Sequence, residues 1–246
     1  MRPPAYRLRQ IGLCMLAMLL LSACSLPARQ PSVALPNANA LEPASGQEQR
    51  WWRACFRLPF DDEQQPRWSL DALLAEQVAA PSLRRHAAQI RLWRFHRRAA
   101  QDATGHQFSL LFYSDAGTAD ALFAELQGHP LTAELLAAQQ LSQLLTPCGP
   151  PDQDQGAIAA SSDPNWDPRL QRTWPYFSMG VSAHWLALIE EVGRTIPLEA
   201  SDSAALLRRY QRIQQEIDEI WREDGQHAYL HHLNALFGYQ PLLMRY

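Results

Sequence analysis

Leu206, Tyr210, Ile213, Ile217 and Ile220 recur at spacings of four, three, four and three, the period of one face of an α-helix. This stripe predicts a helix from Ser201 to Glu223 with its apolar face in a core. Other segments follow the same period between recognisable stops. Ser69 can cap "LDALLAEQVAA", which Pro81 interrupts. Asp115 to Thr118 offer caps for "ADALFAELQ", closed by Gly128 and Pro130, and "TAELLAAQQLSQLL" runs from Thr132 until Pro147. Ser182 opens "AHWLALIEEV", with Gly193 just past its end, and a last helix covers His227 to Phe237 before Gly238.

Two segments break this pattern. "HQFSLLFYSD", from His106, reads as a strand, and Asp102 to Gly105 before it reads as a turn. The preceding "QIRLWRFHRR" fits either a hairpin partner or a basic helix. Between Thr146 and Pro175 a proline-rich stretch has no apolar period, so it is expected to be a functional or disordered loop. Composition tips the balance towards helix. The 246 residues contain only 4 Val, 8 Ile and 6 Thr, whereas Ala, Leu, Gln, Glu and Arg are abundant. The expected fold is mainly α, a single helical domain over residues 50–246, with a small β-hairpin near residues 89–113 left open.

The N-terminus has its own order. Arg2, Arg7 and Arg9 precede an apolar run from Ile11 to Leu21. As a helix this run would be about 16 Å long, roughly half a bilayer core, too short to span it and suited to a signal peptide. Leu21-Ser22-Ala23-Cys24 follows. This stretch resembles the lipobox of bacterial lipoproteins. The resemblance implies cleavage after residue 23, a diacylglycerol on the Cys24 sulfur and an acyl chain on its new amino group. Ser25 stands where inner-membrane lipoproteins carry Asp, so the family rule favours the outer membrane, with the domain facing the periplasm. Residues 24–49, rich in Pro, Ala, Ser and Asn, then form a flexible tether.

Cleavage changes the charge and the cysteine count. Three arginines leave, and the net charge moves from −3 to −6. An acidic chain argues against nucleic acid as a partner. All basic residues are Arg and none is Lys, which excludes a Ser-x-x-Lys dyad, a Schiff-base lysine and a P-loop lysine. Cys14 departs, Cys24 carries lipid, and Cys55 with Cys148 remain. In an oxidising compartment they are expected to pair, with two free buried thiols as the alternative.

Candidate chemistry is sparse. Glu223, His227 and His231 recur every fourth residue, a spacing that lines up metal ligands on one helix face. Gly225 is expected to break that helix, leaving His227 and His231 as the metal candidate. Arg84, Arg85, Arg91, Arg94, Arg97 and Arg98 crowd seventeen residues with Trp93 and Phe95, a combination suited to an anionic partner. Acidic segments such as Asp61 to Glu63 are the competing destination for these charges. "GVSAH", from Gly180, begins like a nucleophile elbow but has His184 where the second glycine must stand, so Ser182 reads as a helix cap. Glu190-Glu191 and Glu223-Asp224 are sequence neighbours and diverge on a helix, so no catalytic residue is assigned.

The expected function is a non-enzymatic binding, accessory or assembly component of the cell envelope, held to the membrane by lipid and needing no cofactor beyond that covalent anchor. Its partner would be an envelope protein or an anionic glycan. An envelope-acting hydrolase or a metal-binding lipoprotein is the alternative.

Overall fold

Three strands without a single Val, Ile or Thr form the centre of the domain: β1 (Arg50–Leu58), β2 (Leu92–Ala99) and β3 (His106–Ser114). With the short β4 (Gln143–Leu145) they make an antiparallel sheet ordered β2-β3-β1-β4. The computed structural model describes residues 48–149, 156–200 and 202–240. The signal segment, Cys24 and the tether up to residue 47 lie outside the described residues.

The sheet corrects the expectation of a mainly helical domain: the fold is α+β. Counting β-branched residues misled because Trp, Phe, Tyr, Leu and the stem of Arg also fit a pleated, packed surface. β2 and β3 do form a hairpin, Leu92 opposite Tyr113 and Ala99 opposite His106, but it is half of a larger sheet. β3 is central and buried along its whole length. The hairpin turn needs Gly105, whose φ of +65° is open to glycine at little cost.

Period-two alternation divides the sheet into two faces. Ala54, Phe56, Leu58, Phe95, Phe108, Leu110 and Phe112 point into the main core. Helices cover that face. α1 (Trp68–Leu73) continues through a π-helical turn, Leu74–Ala79, into α2 (Ala80–Arg85). Pro81 therefore does not interrupt the helical path, which runs on through it from the π-helical turn to Arg85. α3 (Ala116–Gly128) is capped by Asp115, which accepts from the Thr118 N–H, and α4 (Pro130–Ala137) follows at once. The last residues of "TAELLAAQQLSQLL" thus become β4 rather than helix. On the opposite face Trp51, Leu92, Leu111 and Tyr113 make a smaller cluster, with Ile158, Tyr176 and Met179 packed on it.

The stretch expected to be irregular is only partly so. After a 3-10 turn at Ile158–Ser161, Asp167 caps α5 (Pro168–Thr195), with Pro168 in the first turn and Pro175 buried inside the helix. Ser182 is therefore internal to α5 and not a cap. Its hydroxyl donates to the Ser178 carbonyl at 2.8 Å and accepts from the Phe95 N–H at 3.0 Å. Because β2 is an edge strand, that N–H has no strand partner, and Ser182 both satisfies it and docks α5 on the sheet. α6 (Ser203–Ile220), capped by Asp202, buries Tyr210, Ile213 and Ile217 of the predicted stripe. Burial and the neighbouring Glu76 push the Tyr210 hydroxyl above its ordinary range. Gly193 lies within α5 where Arg209 of α6 reaches across. A Cβ there would come within 2.9 Å of Nη2, which donates to the Gly193 carbonyl.

Gly225 does not end the helical path. α6 passes through a π-helical turn, Trp221–Gly225, into α7 (Gln226–Leu236). A Cβ on Gly225 would lie 3.2 Å from the Ile220 carbonyl and 3.2 Å from the Tyr229 ring. Glycine fits here for want of space and not as a helix stop.

Candidate functional site

A groove of about 910 Å³ runs between α5 and the path from α6 to α7, with mostly apolar walls. α5 presents Phe177, Val181 and Trp185 to it, and the other wall is built from Trp221, Leu230 and Leu233. Val181 is 51% exposed and Leu236, at the far end, 71%. Tyr229 ties the walls together: its hydroxyl lies 2.9 Å from His184 Nε2, and its ring stacks on Trp221. No residue of α7 is buried, although Tyr229, Leu230, Leu233 and Leu236 all line the groove.

Arg97, Gln214 and Asp218 line the groove and lead into a buried polar network. Arg97 lies between Trp68 and Trp185, 4.8 Å from each ring centre. Its Nε donates to Asp71 Oδ2 at 2.9 Å, and Nη2 donates to the Trp68 carbonyl and to Gln214 Oε1. Asp71 is completely buried and takes a second bond, 3.0 Å, from His106 Nε2. His106 Nδ1 accepts the Arg67 N–H at 3.3 Å, which leaves Nε2 as the donor towards Asp71. Gln214 passes the chain on to Asp218 Oδ1 at 2.8 Å. A buried carboxylate with this many donors is a structural anchor for α1, β2 and β3. Asp71, Arg97 and His106 are thus committed to one another, while His184, Asp218 and His232 also line the groove.

The arginines expected to act together are separated. Arg84 pairs with Glu190 at 3.1 Å and Arg85 with Glu125 at 2.5 Å, both at the helical side. Arg97 faces inwards as described, and Arg91 precedes β2. Only Arg94 and Arg98 share the outer face of β2. Their neutralising partners are not Asp61 to Glu63. Asp61 instead accepts the Glu63 and Gln65 N–H groups in its own turn, whereas Arg98 pairs with Asp102. That bond, helped by the Gly105 N–H, lowers the Asp102 carboxyl to about 2. The reason for the separation is local: in a strand, residues 94 and 98 share a face while 97 takes the other.

His227 and His231 lie on α7 with ring centres 5.4 Å apart. Among the described residues, no group of three or more ligating side chains is placed to hold a metal. Cys55 and Cys148 are joined, with an S–S distance of 2.10 Å and Cα atoms 5.8 Å apart. The Cys148 N–H donates to the Arg53 carbonyl at 2.8 Å.

Pattern reading missed the groove and the Asp71 network. The signal for the first lay in Leu230, Leu233 and Leu236, three apart along one helix face. The second had no signal, since Asp71, Arg97 and His106 come from three elements. Among the described residues, no helix is long and apolar enough to cross a membrane. No family model and no curated protein matches the chain. Among solved structures, the crystal structure of TsrL aligns with 64% of this chain and 38% of its own length, at 14% identity and a TM-score of 0.34. The chain spans well under half of that protein, and a likeness this loose carries no argument about fold or activity.

Proposed function

We propose that the chain is a lipid-anchored lipoprotein of the outer membrane, facing the periplasm, and that its domain acts by binding as a non-enzymatic accessory or assembly component of the envelope. The lipobox-like Leu21 to Cys24 supports the address. The single observation that supports binding is α7, an eleven-residue helix with no buried residue and an apolar flank open to the groove. Isolated helices of this length are marginal in water, and burying that flank against a partner would stabilise it. The concentration of Trp and Tyr in the walls fits a protein partner, because these residues dominate the energetic centres of protein interfaces. The occupant we assign is an apolar segment of another envelope protein. The hydrolase alternative draws on His184 in the groove wall, but its ring partner is the Tyr229 hydroxyl, and among the described residues no carboxylate orients it.

Two experiments bear on this reading. The Cys24→Ser chain should accumulate as an uncleaved, unlipidated precursor, seen as a heavier band that takes up no labelled palmitate. Normal processing of that chain would overturn the anchor. A photo-crosslinking residue at Val181 should give one discrete adduct with an envelope protein in cells, and Leu230→Asp should abolish it. Leu230 is exposed, so that substitution should change stability by no more than about 0.5 kcal/mol. Recovery of bulk peptidoglycan alone would count against a protein partner.

A further inference from the structure

The outer face of the sheet brings together cations that the sequence keeps apart. Arg94 of β2 and Arg53 of β1 flank Leu111 of β3 in register, and Arg98 and Arg57 flank Gln107 in the same way. His96, Ser109 and Cys55 form the row between them. With β3 between β1 and β2, and four residues between the two rows, the arginine Cα atoms frame a rectangle of about 10 by 13 Å.

This frame is poorly neutralised. Asp102 pairs with Arg98, but among the described residues no carboxylate makes an ion pair with Arg53, Arg57 or Arg94. Arg94 donates through Nη2 to the Ser161 carbonyl at 3.1 Å. Its Nε and that of Arg57 are buried and meet no acceptor among the described residues. The strain shows in the titration of the cluster. Burial, then Arg53, lowers the Arg94 guanidinium to about 10, and burial followed by Arg94, Arg53 and Arg98 pushes the His96 imidazole down. Like charges held together with idle donors are unfavourable until an anion joins them.

We propose that this face binds a compact ligand carrying at least two phosphate groups, one held by Arg94 and Arg53 and the other by Arg57, beside which Arg98 stays committed to Asp102 and the Gly105 carbonyl. Guanidinium forks match phosphate oxygens in pairs, and the separation of the rows is too wide for a single phosphate to meet both. Ser109 and Gln107 of the central strand are buried, Arg53 and His96 beside them are exposed, and Ile158, Tyr176 and Met179 pack on the adjoining end of the face. The site is separate from the apolar groove, and the proposal does not depend on what fills the groove.

Calorimetric titration of the full chain with inorganic tripolyphosphate, at constant ionic strength, tests it. Tripolyphosphate should bind at least tenfold more tightly than inorganic phosphate. Arg53→Gln/Arg94→Gln should weaken it at least tenfold, while Arg84→Gln/Arg85→Gln, whose partners are Glu190 and Glu125, should stay within twofold. Without ligand the first variant should melt at or above the parent temperature, because it removes repulsion, which separates lost binding from lost folding. Equal binding by both double variants, no preference over phosphate, or binding confined to vesicles containing phosphatidylglycerol would overturn the proposal.

Discussion

Replacing Asp71 by Ala should destabilise the domain by about 3–5 kcal/mol, the usual consequence of removing one partner from a buried ion pair. Asp71 is fully buried and receives Arg97 Nε and His106 Nε2 at 2.9 and 3.0 Å. Without the carboxylate, the guanidinium is stranded between Trp68 and Trp185, and the imidazole loses its acceptor. For a domain of this size that loss corresponds to a fall in melting temperature of about 10 °C, measurable by circular dichroism. The mechanism makes a second, sharper statement. If orphaned charge is the cause, Asp71→Leu/Arg97→Met should be less harmful than Asp71→Ala alone, because both charges then leave together. A double variant at least as unstable as the single would show that packing, not charge, governs the site.

Loss of the Cys55–Cys148 bond should have a comparable effect. The two residues are 93 positions apart, so the link restrains a long loop in the unfolded chain, worth up to about 4–5 kcal/mol in the chain-entropy model. Cys55→Ala/Cys148→Ala should therefore melt about 10 °C below the parent, and a reductant should lower the parent to match while leaving the variant unchanged. Beside the bond, β4 is also held to β1 by strand pairing at Cys55–Leu145, Phe56–Leu144 and Arg57–Gln143. Thiol labelling of the denatured, unreduced chain should find neither cysteine reactive. Labelling of both would remove the link and the stability assigned to it.

The helices and the sheet differ in how far local pattern revealed them. Asp115 as the cap of α3, and the stripe from Tyr210 through Ile217 on α6, follow from residues within a few positions of one another. Helical hydrogen bonds and side-chain neighbours are local, so a single segment contains the information. β3 was visible as a strand for a similar reason. β1 was not: "RWWRACFRL" carries aromatic, small and charged residues with no β-branched type, and its strand character comes from pairing with β3 and β4. The proline-rich stretch lacks an apolar period, yet its last two prolines, Pro168 and Pro175, belong to α5. One occupies a first turn, where proline is welcome, and the other is tolerated inside a packed helix.

The functional surfaces depended still more on assembly. By itself the sequence determined the charge balance, the absence of lysine chemistry, the lipobox-like N-terminus and the helical stripes, each a property of composition or of a few adjacent residues. Only the tertiary structure decided which arginines lie side by side. Strand alternation sends Arg97 inwards to Asp71 and Arg94 outwards, and register sets Arg94 beside Arg53, distant in sequence. The π-helical turn that carries α6 into α7 likewise sets Leu230 and Leu233 across from Val181. Such meetings depend on pairing, register and packing between separate elements, and no local period encodes them.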